Sequence, residues 1–175
     1  MISAVVLTPD SWTSGDLAHE RETVVRSLVW LVSAVVSSVV RDVTLAVPAG
    51  LGLGDLADQS GCGLVQAETE ADRLAAAVRA AREGRLIVMK AGYQPEAGLI
   101  DELDLFMRRR PEDALAAVLS TPTSFLQRLF PQRASPVGCL VPKAFAERSA
   151  AGLDRLLQSA QRRGEALATR CRPIL

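Results

Sequence analysis

The stretch Arg85-Leu-Ile-Val-Met-Lys-Ala-Gly-Tyr93 decides the fold of this chain. Four consecutive apolar residues follow Arg85, and such a run is typical of a β-strand that is covered on both faces. An Ala-rich helical segment, Ala71–Arg82, precedes the run, and Pro95 and a second helical segment follow it. A buried strand between two helices is the repeating unit of a parallel α/β sheet.

The same alternation extends in both directions from this strand. Strands are predicted over Ile2–Leu7, Asp42–Val47, Gly63–Gln66, Arg85–Met89, Asp113–Leu119 and Gly138–Val141. Helices are predicted over Leu17–Val40, Asp55–Ser60, Glu68–Glu83 and Ala97–Arg109, with Ser14 or Asp16 as the cap of the first. One or two more helices are predicted inside Lys143–Ala168, and Thr121–Pro136 is predicted to be irregular. We therefore expect a Rossmann-like α/β fold, with one mostly parallel sheet and helices on both of its faces.

The length and the order of elements predict a single domain. A chain of 175 residues can bury one core and is short for two. We expect a core over residues 1–150 and a C-terminal helix and tail over residues 151–175. Ile2–Leu7, Asp42–Val47 and Arg85–Met89 are separated by helices, so they should be adjacent parallel strands at the centre of the sheet. The loops at their carboxyl ends should meet at one edge, where any ligand site is expected.

The composition narrows the classes of function. The chain carries 20 basic and 20 acidic side chains, so its charge favours neither nucleic acid nor an anionic membrane. The apolar run Ser27–Val40 is too short to span a bilayer. Three widely spaced cysteines favour reduced thiols in a cytoplasmic protein, and the single histidine, His19, argues against a His-based triad or metal cluster.

Common cofactor and nucleophile motifs are missing from the chain. Gly50, Gly52 and Gly54 follow a predicted strand, but Asp55 stands near the place of the third glycine of a dinucleotide fingerprint and would repel a pyrophosphate. Neither a P-loop nor a G-x-S-x-G nucleophile elbow occurs in the sequence. We expect no cofactor, and a flexible strand-to-helix turn accounts for the glycines.

Two stretches carry a resemblance to a known family. They are Leu74-Ala-Ala-Ala-Val-Arg-Ala-Ala-Arg82 with Gly84 and Leu86-Ile-Val-Met89, and Gly138-Cys-Leu-Val-Pro-Lys-Ala-Phe-Ala-Glu147. Together with the order of strands and helices over about residues 1–150, they resemble the nucleotide-binding half of family 2 glycosyltransferases, and most closely a compact bacterial subgroup. The resemblance implies a glycosyltransferase A-type fold and a nucleotide-sugar donor.

The charged residues that the family uses at its site are replaced in this chain. Pro48-Ala49-Gly50 stands where the family has an Asp that contacts the nucleobase or ribose, and Glu70 stands where a basic residue holds the donor diphosphate. Gly92 occupies the place of the metal-binding Asp, and residues 131–138 contain no acid to serve as general base. We therefore expect no intact divalent-metal site.

Lys90 could supply the positive charge that a metal provides elsewhere, together with Arg85 or Arg73. The candidate ligand-binding residues are Pro48, Gly50, Arg73, Lys90, Gly92 and Tyr93. Three functions stay open: a metal-independent glycosyltransferase, a catalytically inert relative that serves as a binding or oligomeric scaffold, and a small-molecule binding module in the same crevice. The first would bind a nucleotide sugar.

The predicted helix Leu17–Val40 also indicates an assembly. It is apolar over more of its circumference than one stripe facing a sheet requires, and Trp30 lies among its aliphatic residues. A helix with so small a polar face is either deeply buried or shared between subunits. We expect a homodimer.

Overall fold

A computed structural model describes residues 1–12, 17–122, 125, 129–130, 134–149 and 152–174. The strands are β1 (Ile2–Leu7), β2 (Val40–Pro48), β3 (Gly63–Ala67), β4 (Arg85–Lys90), β5 (Tyr93–Pro95), β6 (Ala116–Ser120), β7 (Pro136–Pro142) and β8 (Glu165–Pro173). The helices are α1 (Leu17–Val36), α2 (Gly54–Ser60), α3 (Glu70–Ala80), α4 (Leu99–Arg109), α5 (Lys143–Arg148) and α6 (Leu153–Arg163).

The described strands form one sheet in the order β3-β2-β1-β4-β7-β6-β8-β5. β1 lies between β2 and β4 and is parallel to both, with Val5 opposite Thr44 on one side and Val88 on the other. The prediction that these three strands are parallel neighbours is therefore confirmed. Each is joined to the next by at least one helix, as a parallel crossover requires.

Helices cover both faces of the sheet. Along β1 the side chains alternate, so that Ile2, Ala4 and Val6 pack on the face covered by α1, α2 and α4. Val5 and Leu7 pack on the opposite face against α3, α5 and α6. Both sets are almost completely buried, and this explains why β1 carries the unbroken apolar run Ala4–Leu7 rather than alternating polar and apolar residues.

Local signals set the start of α3 at Glu70, two residues after the predicted start at Glu68. The Thr69 hydroxyl accepts a hydrogen bond of 3.1 Å from the Asp72 amide. Glu70 and Asp72 occupy the first turn and Arg79 the last, which suits the helix dipole. The helix ends at Ala80, three residues before the predicted end at Glu83, and the chain then enters β4.

The predicted helix Leu17–Val40 is too long. It ends at Val36, Ser38 takes a positive φ of 59° and Val40 already pairs with Ile2 in the sheet. Valine runs suit a strand better than a helix because branching at Cβ restricts the side chain against the preceding turn. The predicted start of β6 at Asp113 is also wrong, because the strand begins three residues later, at Ala116.

The sheet is mixed rather than mostly parallel. β7 is antiparallel to both β4 and β6, and β5 is antiparallel to β8. Among the described strands, four of the seven pairs are parallel, so the prediction of a mostly parallel sheet is only partly right. β7 is buried along most of its length, and its apolar run therefore looks like that of a parallel strand.

The C-terminal segment adds a strand to the expected helix and tail. β8 pairs in parallel with β6 beyond Gly164, where a Cβ would lie 2.5 Å from the Leu115 carbonyl oxygen. Its burial alternates only weakly, with Leu167 and Cys171 as the buried residues. Its alanine, threonine and arginine content therefore hides it from pattern analysis. β5, which has only three residues, was not predicted either.

Some predictions concern residues outside the described part of the chain. These are the helix caps Ser14 and Asp16 and half of the irregular segment Thr121–Pro136. Within the residues that are described, no helix has the length and the apolarity needed to cross a membrane.

Candidate functional site

The carboxyl ends of the central parallel strands meet at one edge of the sheet. The Ala91 amide donates a hydrogen bond of 2.8 Å to the Leu7 carbonyl, and the Thr8 amide donates one of 3.0 Å to the Ala46 carbonyl. The loops that leave β1, β2 and β4 therefore start side by side. In a parallel sheet this is the edge at which ligands bind.

A cavity of about 310 Å³ opens at this edge, beside β1 and β4. Its walls come from the ends of both strands and from the first turns of α3 and α6. The lining residues are Leu7, Pro9, Glu70, Lys90, Ala91, Tyr93, Leu153 and Asp154. Two of the six predicted ligand-binding residues, Lys90 and Tyr93, line this cavity.

Lys90 is the cationic side chain among these lining residues. Its ammonium lies 2.6 Å from the Asp154 carboxylate at the start of α6. The side chain of Lys90 is 32% exposed and that of Asp154 is 73% exposed, so water reaches this ion pair. An exposed pair of this kind adds little to stability.

Glu70 caps a helix, although the family resemblance places a phosphate-binding base at its position. Its carboxylate accepts a hydrogen bond of 2.8 Å from the Leu153 amide at the first turn of α6. A carboxylate is favourable there because the amino end of a helix carries a partial positive charge. Glu70 thereby joins α3 to α6 across the cavity.

Arg73 is completely buried one turn further along α3. Its guanidinium donates to the carbonyls of Ala67, Glu68 and Thr8, and it forms an ion pair with Asp10. These contacts join the loop after β1 to the loop after β3. Arg73 is not among the residues that line the cavity, so the structure places it behind the site.

Gly92 lies just after β4 in a conformation that favours glycine. Its φ is +88°, its amide donates a hydrogen bond of 2.9 Å to the Ser27 hydroxyl, and its carbonyl accepts one of 2.9 Å from the Ile174 amide. Gly92, at which the resemblance places a metal-binding acid, is thus a backbone junction between α1, β4 and the chain beyond β8.

Pro48 and Gly50 lie at the end of β2, and neither lines the cavity. Pro48 pairs with Ala67 of β3, and its carbonyl accepts a hydrogen bond of 3.4 Å from the Leu51 amide. Gly50 is exposed with a φ of +81° and no atom within 4 Å of where a Cβ would be. The space beside this turn is open.

Arg85, the alternative partner of Lys90, lies at the opposite end of β4. Its guanidinium stacks 5.7 Å from the centre of the Phe106 ring. Burial lowers the pKa of Arg85, and the nearby Glu112 and Asp113 carboxylates oppose that shift. Its place at the amino end of the strand separates it from the cavity.

The buried thiols of Cys139 and Cys171 are not suited to nucleophilic catalysis. All three cysteines are free. Burial raises the pKa of Cys139 and raises that of Cys171 to about 12, with Glu96 adding to the second shift. A thiol with so high a pKa carries almost no thiolate at neutral pH. Among the described residues, no three His, Cys, Asp or Glu side chains are grouped as a metal site would require.

Asp154 is the site residue that the sequence analysis missed. The only local signal is an acid in the first turn of a helix, which normally indicates interaction with the helix dipole. Its contact with Lys90 spans 64 positions of the chain. The Asp10 contact of Arg73 was missed for the same reason.

Comparison with known proteins identifies the architecture. No family model and no curated protein sequence matches the chain. Among solved structures, it is similar to a Bacillus anthracis protein assigned as a glucose-1-phosphate thymidylyltransferase (TM-score 0.63, 7% identity, covering 97% of this chain and 88% of that one). The fold is of the glycosyltransferase A type.

Two further structures agree with this assignment. Glucosyl-3-phosphoglycerate synthase from Mycobacterium tuberculosis, solved with Mn²⁺, UDP and glucosyl-3-phosphoglycerate, has a TM-score of 0.58 at 12% identity and covers 93% of this chain and 68% of its own. A nucleotidyl transferase from Methanothermobacter has a TM-score of 0.55 at 12% identity, with coverages of 95% and 88%. At these identities the similarity concerns the fold, which in these proteins serves both glycosyl and nucleotidyl transfer.

Proposed function

We propose that this chain is a glycosyltransferase-like protein that binds a nucleotide sugar beside β1 and β4, and that it either works without a divalent metal or has lost catalysis. The fold supports this proposal, because structural neighbours with it were solved with UDP or UDP-glucose. The cavity lies at the edge where such sheets bind their ligands. The three free cysteines fit a role in the reducing cytoplasm.

Lys90 is the single observation that carries the proposal. A donor diphosphate must be neutralised by positive charge, from a metal or from basic side chains. Gly92 has no carboxylate that could bind a metal, and the guanidinium of Arg73 is hydrogen-bonded to carbonyls of the loops outside the cavity. Lys90 remains as the cation inside the cavity, and we propose that it takes the phosphate while Tyr93 contacts the sugar or the base.

The other predicted residues have a supporting place in this proposal. The turn at Pro48 and Gly50 leaves open space at the end of β2, and we propose that the nucleoside extends over it. Gly92 holds the backbone beside Lys90, and Arg73 holds the loop after β1. Neither residue needs to touch the ligand for its substitution to weaken binding.

The test is calorimetric titration of UDP- and GDP-sugars in EDTA and in Mn²⁺. We expect binding in EDTA, and Lys90→Met should weaken it about tenfold or more, as the loss of a charged contact to phosphate does. Arg108→Met is the matched control, because Arg108 forms an exposed ion pair with Asp104 on α4. Equal affinity of the wild type and Lys90→Met would contradict the proposal. Hydrolysis or transfer of the bound sugar would separate an active enzyme from an inert one.

A second candidate function is an oligomeric scaffold, and the outer face of α1 favours it. Val25, Val29, Val32, Val35 and Val36 are all exposed there. Val32, Val35 and Val36 also form part of the wall of a groove of about 260 Å³, which is lined mainly by apolar residues including Leu28, Leu31 and Val43. We propose a second copy of this chain as the occupant, because a two-fold axis would place the exposed valines of one α1 against those of the other and would bury both apolar surfaces.

Sedimentation at tens of micromolar tests the dimer. We expect a dimer that Val32→Asp with Val36→Asp converts to a monomer, because paired burial of these carboxylates is costly. Ser33→Asp, at an exposed position of the same helix, is the control. A wild-type monomer at that concentration would rule the dimer out.

A further inference from the structure

The ion pair between Lys90 and Asp154 occupies the position at which the proposed function needs an anion. The Asp154 carboxylate lies 2.6 Å from the Lys90 ammonium, and both line the cavity at the carboxyl ends of β1 and β4. An ammonium donates to phosphate and to carboxylate oxygens in the same way. A phosphate bound by Lys90 would therefore meet Asp154 as a competitor.

The charges that line the cavity make the competition for Lys90 stronger. Its lining carries one cation, Lys90, and two carboxylates, Glu70 and Asp154. Glu70 is held by the Leu153 amide, whereas the side chain of Asp154 is 73% exposed and contacts Lys90. Asp154 can thus leave the ammonium without uncovering a buried group. Its carboxylate still repels any second negative charge placed beside Lys90.

We propose that Asp154 sets the anion affinity of the cavity by competing with the ligand phosphate for Lys90. The inference rests on the proposed function, and it names the chemistry that is recognised, a phosphate or diphosphate group. It makes Asp154 a specificity-determining residue. Only ligands that offer more negative charge than one carboxylate displace it, which favours phosphates and diphosphates over carboxylates.

Titration of inorganic pyrophosphate and of UDP into wild type and Asp154→Asn, in EDTA, tests the inference. Asp154→Asn keeps the size of the side chain and removes its charge. We expect it to bind both probes about tenfold more tightly, because the ligand no longer has to displace a carboxylate from Lys90. Asp104→Asn is the matched control, since it removes the same charge from an exposed ion pair on α4. Added salt should narrow the gap between Asp154→Asn and wild type.

A second background tests whether the effect passes through Lys90. In Lys90→Met the additional Asp154→Asn substitution should raise the affinity for pyrophosphate and UDP by much less than tenfold, because no ammonium is left for Asp154 and the ligand to compete for. An equal gain in both backgrounds, or no gain in either, would overturn the inference. Thermal melts of all variants should coincide within a few degrees, because the pair is exposed.

The same titrations separate this inference from the proposed function. If wild type binds UDP-sugars and Asp154→Asn binds them equally well, the function stands and the competition is refuted. If Asp154→Asn gains pyrophosphate affinity through Lys90 but no variant prefers nucleotides, the competition stands and the nucleotide-sugar function fails. If no variant binds pyrophosphate or UDP, both are refuted.

Discussion

The Gly92 amide donates a hydrogen bond of 2.9 Å to the Ser27 hydroxyl, which joins the turn after β4 to helix α1. Ser27 is itself buried and donates to the Thr23 carbonyl. This hydroxyl therefore connects the segment beside Lys90 to the interior of α1. Gly92, at which the resemblance places a metal-binding acid, thus holds the backbone in place in this chain.

Gly92→Ala should destabilise the protein through its backbone. The φ of +88° is unfavourable for alanine, while the added Cβ would meet only Thr23 Cγ2, at 3.9 Å. We expect a loss of about 1–2 kcal/mol in the free energy of unfolding. Gly84→Ala is the control, because Gly84 lacks a positive φ and has open space around it. Urea titrations that rank the two variants in the opposite order would contradict this account.

Arg73→Met should destabilise the chain more than any exposed substitution on α3. Arg73 is fully buried, and its loss leaves the Ala67, Glu68 and Thr8 carbonyls without this donor. We expect about 3 kcal/mol from urea unfolding. Arg79→Met, exposed on the same helix, should lie within about 0.5 kcal/mol of wild type. Asp10→Asn removes the ion pair of Arg73 but keeps its contacts with the carbonyls. It should lower the free energy of unfolding less than Arg73→Met does, because Asp10 is 62% exposed.

Mn²⁺ should not bind stoichiometrically and should not raise donor affinity. Gly92 and Pro48 stand at two positions where the resemblance calls for acids. The neighbouring carboxylates Glu70 and Asp154 are engaged with an amide and with Lys90. Isothermal titration of Mn²⁺ with and without UDP checks this expectation. Tight one-to-one binding that strengthens UDP binding would show that other residues have taken over the metal site.

The buried thiol of Cys171 should make stability fall at high pH. Burial raises its pKa from an ordinary value of 9.0 to about 12, so the folded chain keeps a proton that the unfolded chain releases. The contribution of the protonated Cys171 thiol to the free energy of unfolding is complete below pH 9 and is lost as the pH rises toward 12. Cys171→Ala should therefore show a shallower loss of stability than Cys62→Ala between pH 9 and 10.5. Parallel slopes for the two variants would contradict this.

The sequence could predict the parts of the fold that are determined by burial. β1 and β4 are covered on both faces along nearly their whole length and β2 is covered from Thr44 to Val47, so their residues are mainly apolar and their place at the centre of the sheet can be inferred. β8 pairs at one side of the sheet and buries only Leu167 and Cys171. Its pattern therefore resembles a polar helix, and its strand character arises from pairing with β6.

The candidate site was predicted in part, for a related reason. Lys90 and Tyr93 follow a central strand, and the ends of central strands are where a parallel sheet places its ligands. Asp154 and Glu70 reach the cavity from different helices, and the contact between Glu70 and Leu153 spans 83 positions. Such contacts depend on how α6 packs on the sheet, which no local pattern encodes.

Val88→Asp should abolish folding, because this substitution tests the central place of β4. Val88 is fully buried and lies between Val5 of β1 and Cys139 of β7. An aspartate there would bury a charge among aliphatic side chains, at a cost of at least several kcal/mol, comparable with the whole stability of a small domain. Val36→Asp adds the same group at a position that is 80% exposed and should leave the fold intact. Circular dichroism and urea unfolding of both variants check the expectation, and a cooperative transition in Val88→Asp near that of Val36→Asp would mean that β4 is not at the centre of the sheet.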